Sequence, residues 1–209
     1  MKISTIFFDL DDTLYPSSSG LSLKIKERIG IYMQERLNIP AGEMQSLRRK
    51  YFEQYGTTLR GLQANYNIDM PDFLAYVHDL PLREYIQPNP ALHAVLRDLP
   101  VKKLIFTNAD IHHARRVLQV LELEQFFEGI VDVVALEPFC KPMPESFGIA
   151  LAAAGETDPS RCVMIDDLPR TTRAARDIGL FSILFGQQES SPDANATLSE
   201  WSGLPELLI

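Results

Sequence analysis

Five short apolar segments along the chain have the length and the β-branched or aromatic content of buried β-strands. They are residues 3–8, 101–106, 130–134, 161–165 and 181–185. The last four are separated by helical patterns at residues 111–121, 145–154 and 170–178. This alternation of strand and helix predicts a doubly wound parallel sheet with right-handed crossovers. Ligands of such sheets bind beyond the carboxyl ends of the strands, so we expect functional residues there.

The segment between residues 16 and 86 breaks this alternation. Three stretches in it, SLKIKERIGIYMQERL, GEMQSLRRKYFEQYG and MPDFLAYVHDL, have helical apolar spacing with no strand between them. The sequence therefore predicts an α/β fold with a Rossmann-like core, residues 1–15 and 87–209, and an inserted all-helical cap, residues 16–86. A cap inserted after the first strand would emerge on the ligand side, where it can close over a small substrate.

Polar side chains follow the strand segments where each one ends. These residues are Asp9, Asp11, Asp12, Thr107, Asn108, Lys141, Asp166 and Asp167. Clustered carboxylates repel one another unless a cation neutralises them, and Mg²⁺ prefers oxygen ligands. The sequence therefore predicts a magnesium site at this edge of the sheet.

Asp9 and Asp11 have a spacing that suits phosphoryl transfer. One aspartate can attack phosphorus and form an acyl phosphate, while a carboxylic acid two residues later protonates the leaving alkoxide. Lys141 and the hydroxyl of Thr107 could bind the remaining phosphate charge. These residues predict a hydrolase that acts on a small phosphomonoester.

Charge and hydropathy limit the partners of the chain. The formal net charge of -8 and the pI near 5.0 give a field that repels nucleic acid, so we expect no polymeric nucleic-acid partner. No apolar run approaches the roughly 18 residues that span a bilayer, and carboxylates interrupt the first apolar segment. We therefore expect no membrane partner and a cytoplasmic location.

Four motifs resemble those of the haloacid dehalogenase superfamily. They are FFDLDDTLY at residues 7–15, IFTNAD at 105–110, Lys141 within KPMPESF, and VMIDD at 163–167. The resemblance implies that Asp9 is the nucleophile and a metal ligand. It also implies that Asp11 is the general acid/base and a ligand through its backbone carbonyl. In the fourth motif Asp167 is the first choice for the remaining metal carboxylate, and Asp166 shares the metal or acts through water.

Three further segments resemble the yeast and plant pyrimidine 5'-nucleotidase branch of that superfamily. They are YGTTLRGL at residues 55–62, VHDLP at 77–81 and FTNADIHHARRVL at 106–118. The resemblance implies UMP or CMP as substrate. The candidate substrate-binding residues are then Thr107, Asn108 and Lys141, with Arg60 added as a specificity residue from a predicted cap loop.

Two alternatives remain open at this point. The first is a sugar-phosphate phosphatase or phosphomutase with the same core chemistry, and the second is a non-catalytic phosphate-responsive binding module. Asp11 favours phosphate over haloacid substrates, because dehalogenases of the superfamily lack an acid at that position. His112 and His113 are expected to be surface or packing residues, and the basic run from Arg48 to Lys50 a solvated helix face. Either a monomer or a homodimer is compatible with the sequence.

Overall fold

The computed structural model describes residues 3–208, and these contain one sheet of six parallel strands. The strands are β1 (Thr5–Phe8), β2 (Lys102–Phe106), β3 (Gly129–Val131), β4 (Cys162–Asp166), β5 (Phe181–Phe185) and β6 (Ala196–Leu198). Their spatial order is β3-β2-β1-β4-β5-β6. The predicted doubly wound α/β fold is confirmed. The third strand is shorter than predicted, and β6 was missed because three residues without an apolar run give no strand signal.

The order of strands reverses between β1 and β4, at the middle of the sheet. The chain runs outward from β1 to β3 on one side and from β4 to β6 on the other. Phe8 lies opposite Ile105 of β2 and Ile165 of β4 in the parallel register. The carboxyl ends of the three central strands therefore meet at one edge, which is the position where open α/β sheets bind ligands.

Successive residues of β1 enter different cores, because side chains alternate between the two faces of a strand. Ile6 and Phe8 pack into a core with α5 (Pro90–Asp98) and α6 (Ile111–Leu121), while Phe7 packs into a second core with α7 (Pro144–Ala154) and α8 (Pro169–Asp177). A short C-terminal helix, α9 (Leu204–Leu207), joins the first core. Helices thus cover both faces of the sheet, which explains why its strands are almost continuously apolar.

The helix boundaries follow local capping chemistry. Asp110 precedes α6, and its carboxylate accepts hydrogen bonds from the backbone N–H groups of His112 and His113. Asn89 caps α5 in the same way. Gly155 ends α7 with φ +71°, a left-handed conformation that costs glycine little.

Four helices form the cap between β1 and α5. They are α1 (Leu21–Leu37), α2 (Met44–Tyr55), α3 (Thr58–Asn65) and α4 (Met70–His78). They share a separate apolar core that includes Tyr32, Tyr51 and Phe73. The helical cap is confirmed, although the predicted domain boundaries at residues 15/16 and 86/87 stay a prediction. Within residues 3–208, no helix is long and apolar enough to cross a membrane.

The segment TTLRGL was predicted as a loop but forms most of α3. Thr57 caps this helix by accepting a hydrogen bond from the backbone N–H of Arg60. Gly61 faces Tyr51 so closely that a Cβ at this position would lie 2.2 Å from the Cγ of the tyrosine. In the sequence this glycine favours a loop. In the structure its lack of a Cβ allows α2 and α3 to pack closely.

The corner between α2 and α3 is attached to the core. Gly56 has φ +84°, and a Cβ there would lie 2.6 Å from the Sγ of Cys140. Arg170, in the first turn of α8, donates hydrogen bonds to the carbonyl oxygens of Phe52 and Gly56. Its guanidinium also stacks on the ring of Phe52, 3.4 Å from the ring centroid. These contacts hold the end of α2 against the loop that carries Lys141.

Candidate active site

Asp9 follows β1 at the carboxyl edge of the sheet, and it is only 7% exposed. Its backbone N–H donates to the carbonyl of Ile165, which continues the ladder between β1 and β4. Lys141 Nζ lies 2.6 Å from Asp9 Oδ1, and the hydroxyl of Thr13 donates to Asp9 Oδ2 over 3.1 Å. Both carboxylate oxygens are therefore oriented by their neighbours.

Lys141 connects two of the strand ends. Its Nζ lies 2.7 Å from Asp166 Oδ2 as well as 2.6 Å from Asp9 Oδ1, and all three side chains are buried. Burial alone would lower the pKa of Lys141, but attraction to Asp166 and Asp9 outweighs it and raises the pKa. Lys141 therefore stays charged and supplies a fixed positive charge beside Asp9.

The three carboxylates Asp9, Asp166 and Asp167 form a group that could hold a cation. Each offers an oxygen, and these oxygens lie within 4.8 Å of one another. Burial raises the pKa of Asp9 well above its ordinary value, with Lys141 opposing and Asp166 and Asp167 adding to the rise. Burial, with repulsion from Asp166 and Asp12, raises the pKa of Asp167 to about 7. An all-oxygen, electrostatically unfavourable group of this kind fits the ligand preference of Mg²⁺.

Thr107 and Asn108 follow β2 and reach the same edge. Thr107 is 1% exposed, and its Oγ1 accepts a hydrogen bond from the backbone N–H of Ala109. The side-chain amide of Asn108 donates to the carbonyl of Lys141 over 3.0 Å and accepts from the N–H of Lys141 over 2.9 Å. Both residues line the cavity above Asp9, but the amide of Asn108 is occupied in holding Lys141.

Asp11 lies in the loop after β1 and has two neighbours that sequence analysis did not assign to the site. Tyr15 Oη donates to Asp11 Oδ1 over 2.6 Å, and His113 Nε2 lies 2.9 Å from the same oxygen. Burial alone would raise the pKa of Asp11, but His113 and Tyr15 outweigh it and lower the pKa to about 2. Burial and the nearby Asp11 raise the pKa of Tyr15, so its hydroxyl stays protonated. Without substrate, Asp11 is therefore a carboxylate.

A cavity of about 800 Å³ lies between the cap and the carboxyl edge of the sheet. Asp9, Asp11, Thr107, Lys141 and Asp167 lie at its core end. The cap contributes apolar residues, among them Leu23, Ile29, Phe52, Phe73 and Leu74, together with polar and charged ones. The volume is in the range of pockets that enclose a small molecule.

Arg48 is a cation that the cap presents to this cavity, and it has no carboxylate partner in the described chain. It lines the cavity from α2, no ion pair or hydrogen bond of its side chain is found within residues 3–208, and its Nε is buried. Arg49, by contrast, pairs with Glu53 on the exposed surface. The expectation that the whole basic run is a solvated face is therefore wrong for Arg48.

Arg60 does not reach the cavity, contrary to its predicted role in substrate binding. It is 5% exposed on α3, and its guanidinium donates to the carbonyl of Val133 over 2.6 Å and to that of Phe139 over 2.8 Å. It also donates to the side chain of Gln63 and lies 3.6 Å from Glu137 Oε1 in an ion pair. Because these acceptors occupy its N–H groups, Arg60 fastens α3 of the cap to the loop after β3.

Sequence analysis thus places the carboxylates, Thr107 and Lys141 at the edge where the structure brings them together, but it overlooks Tyr15, His113 and Arg48. The sequence does contain a pattern that places His113 on the buried face of a helix. His113, Ala114, Val117, Leu118 and Leu121 have the spacing of one helix face, and all five are buried. A histidine on that face, three residues after the N-cap, must point into the protein.

The sequence model of the haloacid dehalogenase-like hydrolases matches residues 3–179 of the chain. Phosphate metabolism protein 8 of Saccharomyces cerevisiae is 30% identical in an alignment of 192 positions that covers 85% of this chain and 60% of the yeast protein. The chain therefore covers less than two thirds of the length of that relative.

Several solved structures have the same fold. A phosphatase from Thermococcus onnurineus has a TM-score of 0.66 at 16% identity, with 99% of this chain and 98% of that chain covered. The magnesium-bound hydrolase YfnB of Bacillus subtilis has a TM-score of 0.63 at 16% identity, with 100% and 99% covered. L-2-haloacid dehalogenase of Xanthobacter autotrophicus also has a TM-score of 0.63 at 16% identity, with 99% and 98% covered. Phosphatases and dehalogenases share this fold, so the reaction must be argued from the site.

Proposed function

This chain belongs to the haloacid dehalogenase-like hydrolase family, and on that premise we propose that it is a magnesium-dependent phosphomonoester hydrolase that acts through an aspartyl-phosphate on Asp9. One observation carries the proposal. Asp9 is held through both oxygens at the core end of the cavity, beside the buried ammonium of Lys141 and two residues before a second carboxyl group. A haloacid dehalogenase has no use for that second group, whereas an alkoxide leaving group needs an acid.

The reaction has two steps. In the first, an oxygen of Asp9 attacks phosphorus, the bond from phosphorus to the leaving oxygen breaks, and Asp11 gives its proton to that oxygen. In the second, water attacks phosphorus, the bond to Asp9 breaks, and Asp11 takes the proton of the water. Lys141 and Thr107 are proposed to bind the phosphoryl oxygens. The pKa of Asp11, about 2 without substrate, must rise before the first step, and a phosphate dianion beside the carboxylate provides that effect.

The carboxylates of Asp9, Asp167 and Asp166, with the backbone carbonyl of Asp11, are the proposed magnesium ligands. When bound, Mg²⁺ neutralises the phosphoryl oxygens and favours attack by a carboxylate. The spread of carboxylate oxygens within 4.8 Å supports this assignment for the three side chains of Asp9, Asp166 and Asp167.

Pyrimidine nucleoside 5'-monophosphates, UMP and CMP, are the proposed substrates. The cavity supports a leaving group with an apolar, planar portion, because the exposed ring of Phe52 and other apolar cap residues line it. Arg48 offers donors for the carbonyl oxygens of a base. The length of α2 gives a scale for the cavity. Arg48 lies eight residues before Gly56, which corresponds to about 12 Å along the helix axis. Gly56 lies beside the backbone of Lys141. A nucleotide can span such a cavity from phosphate to base.

Phosphate release from UMP, CMP, AMP and several sugar phosphates, measured with Mg²⁺ or with EDTA, tests the proposal. We expect magnesium-dependent release that Asp9→Asn abolishes and that Asp98→Asn leaves unchanged, because Asp98 is exposed and does not line the cavity. Release that survives in Asp9→Asn contradicts the aspartyl-phosphate.

The same experiment addresses the alternatives. Preference for sugar phosphates would favour a sugar-phosphate phosphatase, and transfer of the phosphoryl group to a second sugar would favour a phosphomutase. An absence of turnover would favour a phosphate-responsive binding module. A cytoplasmic location and the choice between monomer and homodimer stay predictions.

A further inference from the structure

The carboxylate of Asp11 is held from one side only. Both of its hydrogen bonds, from Tyr15 Oη at 2.6 Å and with His113 Nε2 at 2.9 Å, involve Oδ1. No hydrogen bond to Oδ2 is found within residues 3–208, and the side chain is 26% exposed at the cavity. Oδ2 is therefore the oxygen that can carry a proton toward the leaving group, and the neighbours of Oδ1 determine where it points.

His113 is placed to donate a hydrogen bond to Asp11. Its side chain is 0% exposed, and its Nδ1 is buried without a partner in the described chain. A proton on Nδ1 would be a buried donor with no acceptor, so the ring favours the tautomer that carries its hydrogen on Nε2. That hydrogen points at Asp11 Oδ1.

His78, at the last turn of α4, supports the ring of His113 from the cap side. The two rings stack with centroids 4.1 Å apart and planes inclined by 19°. His78 Nδ1 lies 2.6 Å from Asp110 Oδ2, while Arg116 of α6 donates to the carbonyls of His78 and Leu80. Burial and the nearby His113 lower the pKa of His78, although Asp110 opposes the shift, so the ring is neutral and donates to Asp110. The end of α4, where the chain leaves the cap, is thus held close to Asp11.

We propose that His113 is a positioning residue that orients Asp11 for proton transfer, and that His78 holds His113 in place through the stacked contact. The inference rests on the acid/base role of Asp11 in the proposed function. His113 touches neither substrate nor phosphorus. It acts through Asp11, which gives a proton to the leaving oxygen in the first step and takes one from water in the second.

Leaving groups that differ in their need for a proton test this role. The substrates are dinitrophenyl phosphate, whose leaving group departs without a proton, and UMP or ribose 5-phosphate, whose alkoxides require one. The variant His113→Phe keeps an aromatic ring for the stack with His78 but has no N–H. We expect kcat/KM for the alkyl phosphate to fall by about 10²-fold, the low end of what general acid catalysis contributes. We expect kcat/KM for dinitrophenyl phosphate to stay within about threefold of the wild-type value.

A second readout follows from the hydrolysis step. Because Asp11 also takes the proton of the attacking water, His113→Phe should turn over the aspartyl-phosphate slowly. Rapid mixing with dinitrophenyl phosphate should then give a burst of dinitrophenol that approaches one equivalent per enzyme. His113→Gln, whose amide can still donate to Asp11, should recover part of the loss, and His78→Leu should shift the ratio of the two kcat/KM values in the same direction but less.

His112→Ala is the matched control, since His112 is the adjacent, exposed histidine of the same helix. Equal losses of kcat/KM on both substrates in His113→Phe, with native circular dichroism, would overturn the positioning role, as would an unchanged ratio. If the wild-type chain releases phosphate from neither alkyl phosphate, the proposed function itself fails, and with it the role of Asp11 that His113 serves.

Discussion

The side-chain amide of Asn108 hydrogen-bonds both the N–H and the C=O of Lys141, at 2.9 and 3.0 Å. An amide side chain here pairs with a peptide group as a neighbouring strand would. Asn108→Ala should therefore displace Lys141 and cost about 1–2 kcal/mol in the free energy of unfolding. We expect kcat/KM for phosphate release to fall about tenfold or more, because Lys141 Nζ loses its fixed distance to Asp9. Urea unfolding and steady-state kinetics measure both effects, and an unchanged kcat/KM would contradict this role.

Lys141→Met should make the chain more dependent on Mg²⁺ for its stability. Removal of the ammonium leaves Asp9 and Asp166 buried without their counter-charge, a change that typically costs about 3–5 kcal/mol. Catalysis should be lost, but the increase in Tm on addition of Mg²⁺ should exceed that of the wild-type chain. Lys103→Met is the matched control, because Lys103 is also buried but donates to the backbone carbonyls of Leu99 and Val101. A larger Mg²⁺ effect in the control would count against the assignment.

Binding of Mg²⁺ should strengthen as the pH rises through about 7. The pKa of Asp167 is raised to about 7 by burial and by repulsion from Asp166 and Asp12. The metal-free fold therefore holds a proton that the unfolded chain, with an aspartate pKa of about 3.9, has lost. Metal-free stability should fall as the pH rises between these two values.

Magnesium competes with that proton. Melting curves with and without Mg²⁺ at several pH values should show a shift in Tm that grows toward pH 7 and then levels off. Asp167→Asn should remove this pH dependence together with most of the shift. A wild-type shift of constant size across the range would contradict the assignment of Asp167 as a ligand.

Arg48→Gln should reduce activity only for substrates with an acceptor at the far end of the leaving group. We expect KM for UMP to rise about tenfold, in keeping with a lost hydrogen bond to a charged group. Phenyl phosphate has no such acceptor, so its kcat/KM should stay constant. Lys50→Gln removes an exposed charge from the same helix and should affect neither substrate. Parallel losses on both substrates would indicate a general effect on the site instead.

Arg60→Met should affect stability and leave substrate preference unchanged. The guanidinium satisfies the carbonyls of Val133 and Phe139, and each buried acceptor left without a donor costs about 1–3 kcal/mol. The free energy of unfolding should fall by a few kcal/mol, while the ratio of kcat/KM for UMP and AMP stays constant. A changed ratio at wild-type stability would return Arg60 to its predicted role in specificity.

The position of the main site residues could be predicted from the sequence because the geometry of parallel strands leaves little freedom. Asp9, Thr107 and Asp166 each end a central strand, and the carboxyl ends of adjacent parallel strands must meet. The family motifs reinforce the same residues. The fold class and the helical cap follow from apolar periodicity, which is long and regular in both regions.

Contacts between residues far apart in the sequence were harder to predict, because they depend on which helix face meets which part of the core. Arg60 lies 73 residues from Val133, and His113 lies 102 residues from Asp11. Nothing local in TTLRGL shows that it forms a helix with a buried arginine, since Thr57 and Gly61 also suit a loop. For His113 the helical face was readable, but its partner across the sheet edge was not.

The hydrogen bonds that Arg60 and Arg170 make with core and cap carbonyls fasten one edge of the cap. They therefore affect how substrate enters the cavity and how product leaves it. Lifting that edge would break the bonds to Phe52, Gly56, Val133 and Phe139 together. At the other edge the cap presents α1, where Leu23 is 68% exposed and lines the cavity. We therefore expect the rate of product release to respond to substitutions at the exposed face of α1 before it responds to changes near Arg60.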